Sequence, residues 1–467
     1  MGNVGHNCGI VVTHSLHDAY SFTKSLQHRG RDGAGIAGVY DEGIDVLRWI
    51  GEIGRFDMGN LPNIFSREYY SFLGHVRYAT SGRKSRILED THPVVIGGIE
   101  ERRDSHIFVR GAEMACVMNG HVDDKYFCDN LFGELRIGLD TEKFLHFYRQ
   151  YGEKEVLRKI PGAYTVAIAD IKKKDVMVLR DRFGIKPGVL GVKDGKHVVA
   201  SEEIAFTENG ANFFEELKLG SVYYLARDGS YKVEEVVEEY PKSCFFEGNY
   251  ISHVLSSLNG VMVRSLRQKL GEKLAEEHNF ENIDLITYLP RCPEPAARSY
   301  AKKVNKPFVP VFYKPRAERA FQAPTTEARE DSISKNLWLL PEMREKLEGK
   351  RIICVDDSTI RGNNSKRAGK LLYEVGVEVA YLLNYTPKIG IVGNDGKKRG
   401  CMFGVDMPLN DNFVARNRSD DEISEVIGMP VRYLSLEGML EVFESLGIRR
   451  GNLCTFCVGG KHPFMEN

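Results

Sequence analysis

No run of apolar residues in this 467-residue chain is long enough to cross a bilayer. A membrane-spanning helix needs about 20 consecutive apolar residues, whereas stretches such as VEVAYLLNYTP are interrupted within about ten. Neither sign of charge is in excess, because 64 Lys and Arg residues accompany 65 Asp and Glu residues. The net charge of -1 gives no overall attraction to nucleic acid or anionic lipid. We therefore expect small-molecule partners, with no nucleic acid and no membrane among them.

The first residues, MGNVGHN, also lack the apolar core of a secretory signal and the Arg-rich pattern of a transit peptide. The nine cysteines are an odd number, which argues against a disulfide framework and for thiol chemistry or metal binding in a reducing compartment. We therefore expect a cytoplasmic protein. With 42% hydrophobic residues, the chain can form two or three domains with full cores.

Two kinds of pattern divide the chain near residue 235. Residues 8–235 contain short alternating strands bounded by glycine, such as GAYTVAIADI, together with amphipathic segments such as TEKFLHFYRQYGEKEVLRKI. This pattern predicts sheets covered by helices. Residues 236–467 contain compact Ile, Val and Leu runs, each associated with a helical pattern, which predicts βαβ units around a parallel sheet.

The segment IICVDDSTIRGNNSKR, residues 352–367, combines a buried strand, two acids, a polar turn and the start of a helix. Asp356 and Asp357 can hold the hydroxyls of a sugar or a Mg²⁺ ion. The turn at 362–365 can present N–H groups and side-chain donors to a phosphate at the helix N-terminus. An acidic turn followed by a helix cap is the alternative interpretation.

This segment resembles the phosphoribosyltransferase signature, in which two acids bind the ribose and the following loop holds the 5-phosphate. The ordered segments YPKSCFFEGNY, FQAPTTEARE, CMFGVDMP and LCTFCVGGKHPF further resemble the amidophosphoribosyltransferase family. The resemblance implies an α/β chain with an N-terminal nucleophile (Ntn) hydrolase domain of αββα type, a glutaminase, over 8–235. It implies a type I phosphoribosyltransferase-like domain over 236–467.

The resemblance also implies a reaction and its ligands. Ammonia from glutamine would be transferred to phosphoribosyl pyrophosphate, giving 5-phosphoribosylamine, glutamate and pyrophosphate. Mg²⁺ would bind near Asp356 and Asp357, purine nucleotides could inhibit, and a homo-oligomer is expected. The implied phosphoribosyl-binding residues are Asp356, Asp357, Ser358, Arg361, Gly362, Asn363, Asn364 and Ser365.

In that family a short propeptide is removed so that a cysteine becomes the first residue. The resemblance therefore implies that Met1–Asn7 is a propeptide and that Cys8 is the nucleophile. Chemistry supports this, because a terminal cysteine carries an amine with a pKa of about 7.7–8.0 that can act as general base. The alternative is a small buried cysteine at the start of the strand CGIVV.

Four further blocks resemble the family's glutamine site. LQHRGRDGAGIAG places Arg29 to help hold that site, and GHVRYAT offers Arg77 to grip the glutamine carboxylate. MNGHVDD implies an oxyanion hole from Asn119 and Gly120, and GLDTEKF implies Asp140 as acceptor for the glutamine ammonium. The His that follows Gly120 and the Arg-Asp pair in HRGRDGAG depart from the family pattern.

Two cysteines form the CxxC pair Cys454 and Cys457, which can grip one metal centre. Cys244 and Cys401 match the positions that complete a [4Fe-4S] site in the cluster-bearing branch of the family. The resemblance implies a structural cluster that ties the interdomain segment to the C-terminal segment. Zinc is the alternative, since it accepts the same four thiolates.

The resemblance fails in the loop that normally holds pyrophosphate. Here Arg291, Cys292 and Pro293 replace an acid, a hydroxyl and a glycine. Lys314, Arg316 and Arg319 keep the following loop cationic, and asparagines replace the usual threonines at 363–364. Three interpretations stay open: Arg291 compensates by contacting pyrophosphate directly, ammonia goes to another phosphorylated acceptor, or the protein is a non-catalytic sensor of phosphoribosyl compounds or nucleotides.

Overall fold

The structure, a computed structural model, describes residues 8–78, 86–127, 138–314 and 337–465. The predicted propeptide Met1–Asn7 and the cationic residues Arg316 and Arg319 lie outside the described residues. In the described part, no helix is long and apolar enough to cross a membrane.

Strands dominate the first half of the chain. The strands are β1 (Gly9–Thr13), β2 (Gly33–Tyr40), β3 (Gly43–Ile50), β4 (Ser71–Arg77), β5 (Val94–Arg102), β6 (His106–His121), β7 (Ala163–Asp170), β8 (Val176–Arg180), β9 (Val189–Lys193), β10 (Lys196–Ala200), β11 (Asn212–Glu216), β12 (Ser221–Leu225) and β13 (Tyr231–Glu235). The helices are α1 (Leu16–Ser25), α2 (Leu61–Ile64), α3 (Asp140–Lys159) and α4 (Ile204–Thr207).

These strands form two facing layers that the long strand β6 connects. The strand order is β11-β9-β10-β1-β4-β2-β3-β6-β7-β8-β12-β13, and β5 also pairs with β6. The beginning of β6 pairs with β3, and its end pairs with β7. Side chains alternate along each strand, so one face of each layer contributes to the core between them, which contains Ile10, Val12, Val117 and Ala167.

Helices cover the outer faces of both layers. Phe22 and Leu26 belong to a core with Val11 on the outer face of the β1 layer. Phe144 of α3 belongs to a core with Met118 of β6 on the other side. The first half is therefore an αββα sandwich, as predicted.

The second half is built around a parallel sheet. Its four strands, in sheet order, are β17 (Leu285–Tyr288), β20 (Arg351–Asp356), β21 (Val379–Asn384) and β22 (Val431–Tyr433). The helices are α5 (Val263–Glu277), α6 (Glu294–Lys303), α7 (Asn363–Tyr373), α8 (Asp420–Ile427) and α9 (Leu436–Ser445). Ile353 faces the core that contains residues of α5, α6 and α9, whereas Ile352 faces the core that contains residues of α7 and α8. This is the predicted parallel α/β arrangement.

Short pairs of strands complete the described structure. They are β14 (Ser243–Cys244) with β23 (Leu453–Cys454), β15 (Ser257–Leu258) with β16 (Val261–Met262), and β18 (Phe312–Tyr313) with β19 (Trp338–Leu339). A π-helical turn, Glu247–Ile251, follows β14. The predicted domain boundary near residue 235 falls at the end of β13 and stays a prediction.

Candidate functional site

Cys8 lies immediately before β1 and is fully buried. The register of β1 and β4 pairs Gly9 with Val76, so continuing it one step places Cys8 opposite Arg77. Alternation gives Cys8 the same direction as Ile10 and Val12, toward the space between the two layers. The nucleophile predicted from sequence therefore lies at one end of the space between the two layers.

Burial raises the pKa of the Cys8 thiol to about 11. A main-chain hydrogen bond from Tyr78 and the charges of Arg77, Lys186 and Arg29 act in the opposite direction but do not outweigh burial. The thiol is consequently protonated at neutral pH. An attack by its sulfur requires a base that takes the proton.

Asn119 and Gly120 lie at the end of β6, which also contacts β1. Asn119 points the same way as Val117, toward the core between the layers. Its amide nitrogen and oxygen are both buried without a hydrogen-bond partner within the described ranges. A Cβ atom at Gly120 would lie 2.2 Å from the carbonyl oxygen of Ala163, so β7 excludes any larger residue there.

Arg77 is the last residue of β4, and Asp140 is the first residue of α3. One nitrogen of Arg77, Nη1, donates to the carbonyl oxygen of Ile87 at 3.0 Å, and Nη2 contacts Asp90 Oδ2 at 3.4 Å. Its third nitrogen, Nε, is buried without a hydrogen-bond partner in the part of the chain that the structure describes. Arg77 thus keeps one donor available beside Cys8.

Asp140 begins α3, where a carboxylate is favoured by the helix dipole. Its Oδ2 accepts from the backbone N–H of Val122 at 3.2 Å and lies 3.0 Å from Nδ1 of His121. His121, one of the departures from the family pattern, therefore pairs with a residue predicted to bind glutamine.

Arg29 is fully buried and contacts the main chain of Cys8. Its Nε donates to the carbonyl oxygen of Cys8 at 2.8 Å. The guanidinium also binds the carboxylates of Glu202 and Glu247. These contacts favour a positioning role, while the predicted contribution to the glutamine site stays a prediction.

The predicted phosphate loop forms part of the wall of a cavity of about 600 Å³ at the carboxyl end of β20. Gly362 takes the cap position of α7 with a φ of +81°, a left-handed conformation that favours glycine. The cavity is lined by all eight predicted phosphoribosyl-binding residues: Asp356, Asp357, Ser358, Arg361, Gly362, Asn363, Asn364 and Ser365. His28 and Arg31 of the first half line the same cavity.

The adjacent acids Asp356 and Asp357 are both buried in this wall. The backbone N–H of Asp357 donates to Asp356 Oδ1 at 2.9 Å, and the Ser358 hydroxyl donates to Asp357 Oδ2 at 2.7 Å. Burial and the charge of Asp357 hold the pKa of Asp356 well above its usual range, and burial raises that of Asp357 to about 6. A cation or sugar hydroxyls would satisfy this pair, so it fits both predicted ligands.

The divergent loop follows β17 and lines the same cavity. Arg291 Nη2 donates to the carbonyl oxygen of Lys314 at 3.2 Å. The Cys292 thiol donates to the carbonyl oxygen of Tyr250 at 3.0 Å. Arg291 and Cys292, which replace the residues usual in the family, are therefore held by main-chain carbonyl groups at the edge of the cavity.

The four predicted cluster cysteines meet around one small cavity. Cys244 and Cys454 are paired in the two-stranded sheet of β14 and β23, and Cys401 and Cys457 complete the wall. Burial raises the pKa of each thiol. A bound metal centre supplies positive charge, which favours deprotonation of these four neighbouring thiols to thiolates.

The donor type fits both groups that the sequence analysis considers. Four cysteine thiolates are the ligand set of a [4Fe-4S] cluster, and zinc accepts the same four thiolates. Across the described residues, no three Cys, His, Asp or Glu groups are placed as ligands of one metal ion. The identity of the bound group therefore stays a prediction.

Sequence reasoning missed four buried charged residues that surround these sites: Lys186, Glu202, Glu247 and Arg267. Arg267 donates to the carbonyl oxygens of Gly248 and Ser252 and lines the cavity. The sequence does contain a pattern that indicates Arg267, because this charged residue interrupts the apolar stripe of α5 at helical spacing from Val263 and Leu270. The other three are held by contacts distant in sequence.

Together the two halves define a glutamine amidotransferase sandwich joined to a phosphoribosyltransferase-type domain. The glutamine amidotransferase domain family matches residues 113–237. An amidophosphoribosyltransferase of Methanothermobacter thermautotrophicus is 30% identical over 495 aligned positions, covering 98% of this chain and 95% of the relative. The chain belongs to the amidophosphoribosyltransferase family.

Solved structures agree with this assignment. The glutamine phosphoribosylpyrophosphate amidotransferase of Bacillus subtilis, solved in complex with ADP and GMP, superposes with a TM-score of 0.81 at 27% identity. The match covers 98% of this chain and 97% of that one. The amidophosphoribosyltransferase sequence of the same organism is 28% identical over 98% of this chain and 94% of its own length. The predicted family and fold class are confirmed.

Proposed function

We propose that this chain transfers ammonia from glutamine to phosphoribosyl pyrophosphate, giving 5-phosphoribosylamine, glutamate and pyrophosphate, the first step of purine biosynthesis. The observation that carries the glutaminase half is Asn119, whose buried amide has no hydrogen-bond partner in the described structure. An unsatisfied amide is costly, and a developing oxyanion beside Cys8 would satisfy it.

The Cys8 residue carries out both halves of amide hydrolysis. Once the peptide bond before Cys8 is broken, its free amine takes the thiol proton, and the sulfur bonds to the amide carbon of glutamine. The resulting oxyanion is stabilised by the Asn119 amide and the Gly120 N–H. Ammonia leaves with the proton held by the amine, and water then cleaves the thioester to release glutamate.

Glutamine would be held by its charged ends. The free Nε of Arg77 can donate to the α-carboxylate. Asp140 can accept from the α-ammonium, and its contact with His121 orients the carboxylate. These roles are proposals supported by the position of Arg77 opposite Cys8 and of Asp140 next to His121, which directly follows Gly120.

The two proposed sites are linked by residues that are adjacent in sequence. Arg29 contacts Cys8, while His28 and Arg31, its neighbours in the chain, line the phosphoribosyl cavity. Residues 28–31 therefore contact both sites. The ammonia would pass these residues and attack the sugar carbon as pyrophosphate leaves, with the phosphate bound at the N-terminus of α7.

Two inorganic groups fit the donors present. Mg²⁺ would be held near Asp356 and Asp357, where it neutralises the acid pair and the charge on pyrophosphate. A [4Fe-4S] cluster would be held by Cys244, Cys401, Cys454 and Cys457, with zinc as the alternative. In that position it would tie the segment after the sandwich to the C-terminal segment.

Family membership favours this reaction over the other two interpretations, a different phosphorylated acceptor and a non-catalytic sensor. Compensation by Arg291 in the pyrophosphate loop is part of the proposal. Inhibition by purine nucleotides is proposed from the B. subtilis structure, whose complex contains ADP and GMP. The cytoplasmic location and a homo-oligomer stay predictions.

The glutaminase half is tested by replacing the nucleophile. In Cys8→Ala, glutamate release should fall at least about a thousandfold, because no thioester can form. Pyrophosphate release driven by added ammonium chloride should persist within about twofold, since the phosphoribosyl cavity is unchanged. Both products are measured on purified protein with glutamine, phosphoribosyl pyrophosphate and Mg²⁺.

The matched control is Cys116→Ala, which removes a buried thiol of the same domain from the core beneath α3, on the opposite face of its layer from the core that Cys8 faces. It should retain both activities. Intact mass should show that the active chain begins at Cys8. Full glutaminase activity in Cys8→Ala, or in a chain that still begins at Met1, would contradict the mechanism.

A further inference from the structure

Four charged side chains form a buried cluster between the two halves of the chain. The interdomain charge cluster consists of Arg29, Lys186, Glu202 and Glu247, with exposures of 0%, 0%, 1% and 2%. Two cations face two anions, so the cluster is balanced in charge. Buried charges are costly unless paired, which means that each member constrains the positions of the others.

Arg29 connects this cluster to the nucleophile. Nε of Arg29 donates to the carbonyl oxygen of Cys8 at 2.8 Å. The other two nitrogens bind Glu247, with Nη2 at 3.0 Å from Oε1 and Nη1 at 3.1 Å from Oε2. This two-pronged contact fixes the plane of the guanidinium, and thereby the direction of the hydrogen bond to Cys8.

Glu247 comes from the second half of the chain. It begins the π-helical turn 247–251, and the Ser252 hydroxyl donates to its Oε2 at 3.1 Å. Lys186 Nζ lies 3.6 Å from Glu247 Oε1 and donates to the carbonyl oxygen of Gly404 at 3.1 Å. A carboxylate of the phosphoribosyltransferase-type domain therefore completes the surroundings of Cys8 in the sandwich.

Removal of the leader makes this support necessary. The peptide bond before Cys8 normally fixes its nitrogen, and cleavage leaves that nitrogen as a free amine. The carbonyl group then becomes the remaining main-chain anchor of the residue. Amine, thiol and carbonyl share one Cα, so the Arg29 hydrogen bond controls how the base and the nucleophile are directed.

We propose that Glu247 is a positioning residue for Cys8, acting through Arg29, so that the glutaminase site is complete only with the second domain in place. The proposal rests on the proposed role of Cys8 as nucleophile. Glu247 has no contact with glutamine in the proposed mechanism. Its loss should therefore reduce the rate of the chemical step and leave glutamine binding largely intact.

Charge provides a second, independent signature. The cations Arg77, Lys186 and Arg29 act on Cys8, and the carboxylates of Glu202 and Glu247 oppose them. Neutralising Glu247 leaves the surroundings of the free amine more positive. A more positive environment favours the neutral amine, so the acid limb of the glutaminase rate profile should move to lower pH.

The test uses Glu247→Gln and Glu247→Asp in the full-length chain, with cleavage at Cys8 verified by intact mass. For Glu247→Gln we expect kcat for glutamate release to fall at least about tenfold, KM for glutamine to stay within about twofold, and the acid limb to shift to lower pH. Glu247→Asp keeps the charge but loses reach, so kcat should fall while the acid limb stays in place.

The matched control is Glu235→Gln, which neutralises an exposed acid paired with Lys218. It should match the parent chain in kcat and pH profile. Ammonium-driven pyrophosphate release should stay within about twofold in all variants, because it does not use Cys8. A parallel loss of that activity in Glu247→Gln would indicate a general folding defect and overturn the positioning role.

Unchanged kcat and pH profile in a folded Glu247→Gln would also overturn the proposal, while leaving Cys8 as the nucleophile. Failure of the proposed function itself would look different. In that case the parent chain would not hydrolyse glutamine, or Cys8→Ala would hydrolyse it normally.

Discussion

Among single residues, Asn119 shows a conflict between stability and activity. Its side-chain amide is buried, yet neither polar atom has a hydrogen-bond partner in the described ranges. Leaving a buried polar group unsatisfied costs about 1–3 kcal/mol. Such a cost is expected where a group awaits a ligand, and Cys8, which faces the same core, is the residue predicted to bring one there.

Asn119→Ala should separate these two effects. We expect kcat for glutamate release to fall by about 10²–10³, the usual consequence of losing one oxyanion donor. The free energy of unfolding should not decrease, because no hydrogen bond is lost. Steady-state kinetics and urea unfolding of the same preparation measure both quantities.

The matched control is Asn384→Ala, where the amide is satisfied. Asn384 Oδ1 accepts from the Thr359 hydroxyl at 2.8 Å, and its Nδ2 donates to the carbonyl oxygen of Arg432. This variant should lower the free energy of unfolding by about 1–3 kcal/mol. A stability loss of the same size in Asn119→Ala would contradict the view that its amide is reserved for a ligand.

At the level of elements, the sequence predicts those features that depend on residues close together in the chain. The strand, acid pair, turn and helix around Asp356 are contiguous, so their pattern alone predicts the local structure of the predicted phosphate loop. The alternation along β1 and β6 likewise directs Cys8 and Asn119 to the same core. Glu247 could not be predicted in this way, because its partner Arg29 is 218 positions away in sequence.

The element formed by β14 and β23 leads to a prediction about metal content. Each strand has two residues, so the pairing of Cys244 with Cys454 gains little from hydrogen bonding alone. We expect a bound cluster to stabilise it, with about four iron atoms per chain and broad visible absorption. About one zinc per chain with no colour would instead support the alternative.

Cys244→Ser should lose this metal and lower the midpoint of thermal unfolding, because binding energy at such sites contributes to folding. Cys354→Ser, at a buried cysteine of β20 outside the group, is the control and should keep the metal. Elemental analysis, visible absorption and thermal unfolding provide the measurements. Full metal content in Cys244→Ser would show that this residue is not a ligand.

For the whole molecule, the same contacts hold the two halves of the chain together and position residues next to Cys8. Glu202 of the sandwich accepts from the N–H of His253 at 2.8 Å and from the hydroxyl of Ser256 at 2.9 Å, both in the second half. The same carboxylate binds His28 and Arg29. One buried anion therefore joins the residues that contact Cys8, the rim of the cavity at the carboxyl end of β20, and the second half of the chain.

The pKa of Glu202 allows this cohesion to be measured. Burial alone would raise that pKa, but the charges of His28 and Arg29 and the His253 hydrogen bond hold it well below the usual 4.5. Below pH 4.5 the folded chain therefore binds fewer protons at Glu202 than the unfolded chain does. The stabilisation by Glu202 is thus fully present above pH 4.5 and is lost as pH falls toward the folded pKa.

Glu202→Gln should therefore reduce the free energy of unfolding by about 3–5 kcal/mol at pH 7, because it leaves Arg29 as a buried cation with one partner fewer. The difference from the parent chain should shrink as pH falls below 4.5, as urea unfolding at a series of pH values would show. Glu235→Gln, at an exposed position, should follow the parent chain throughout. A difference for Glu202→Gln that stayed constant from pH 7 to pH 3 would mean that its charge does not hold the two halves together.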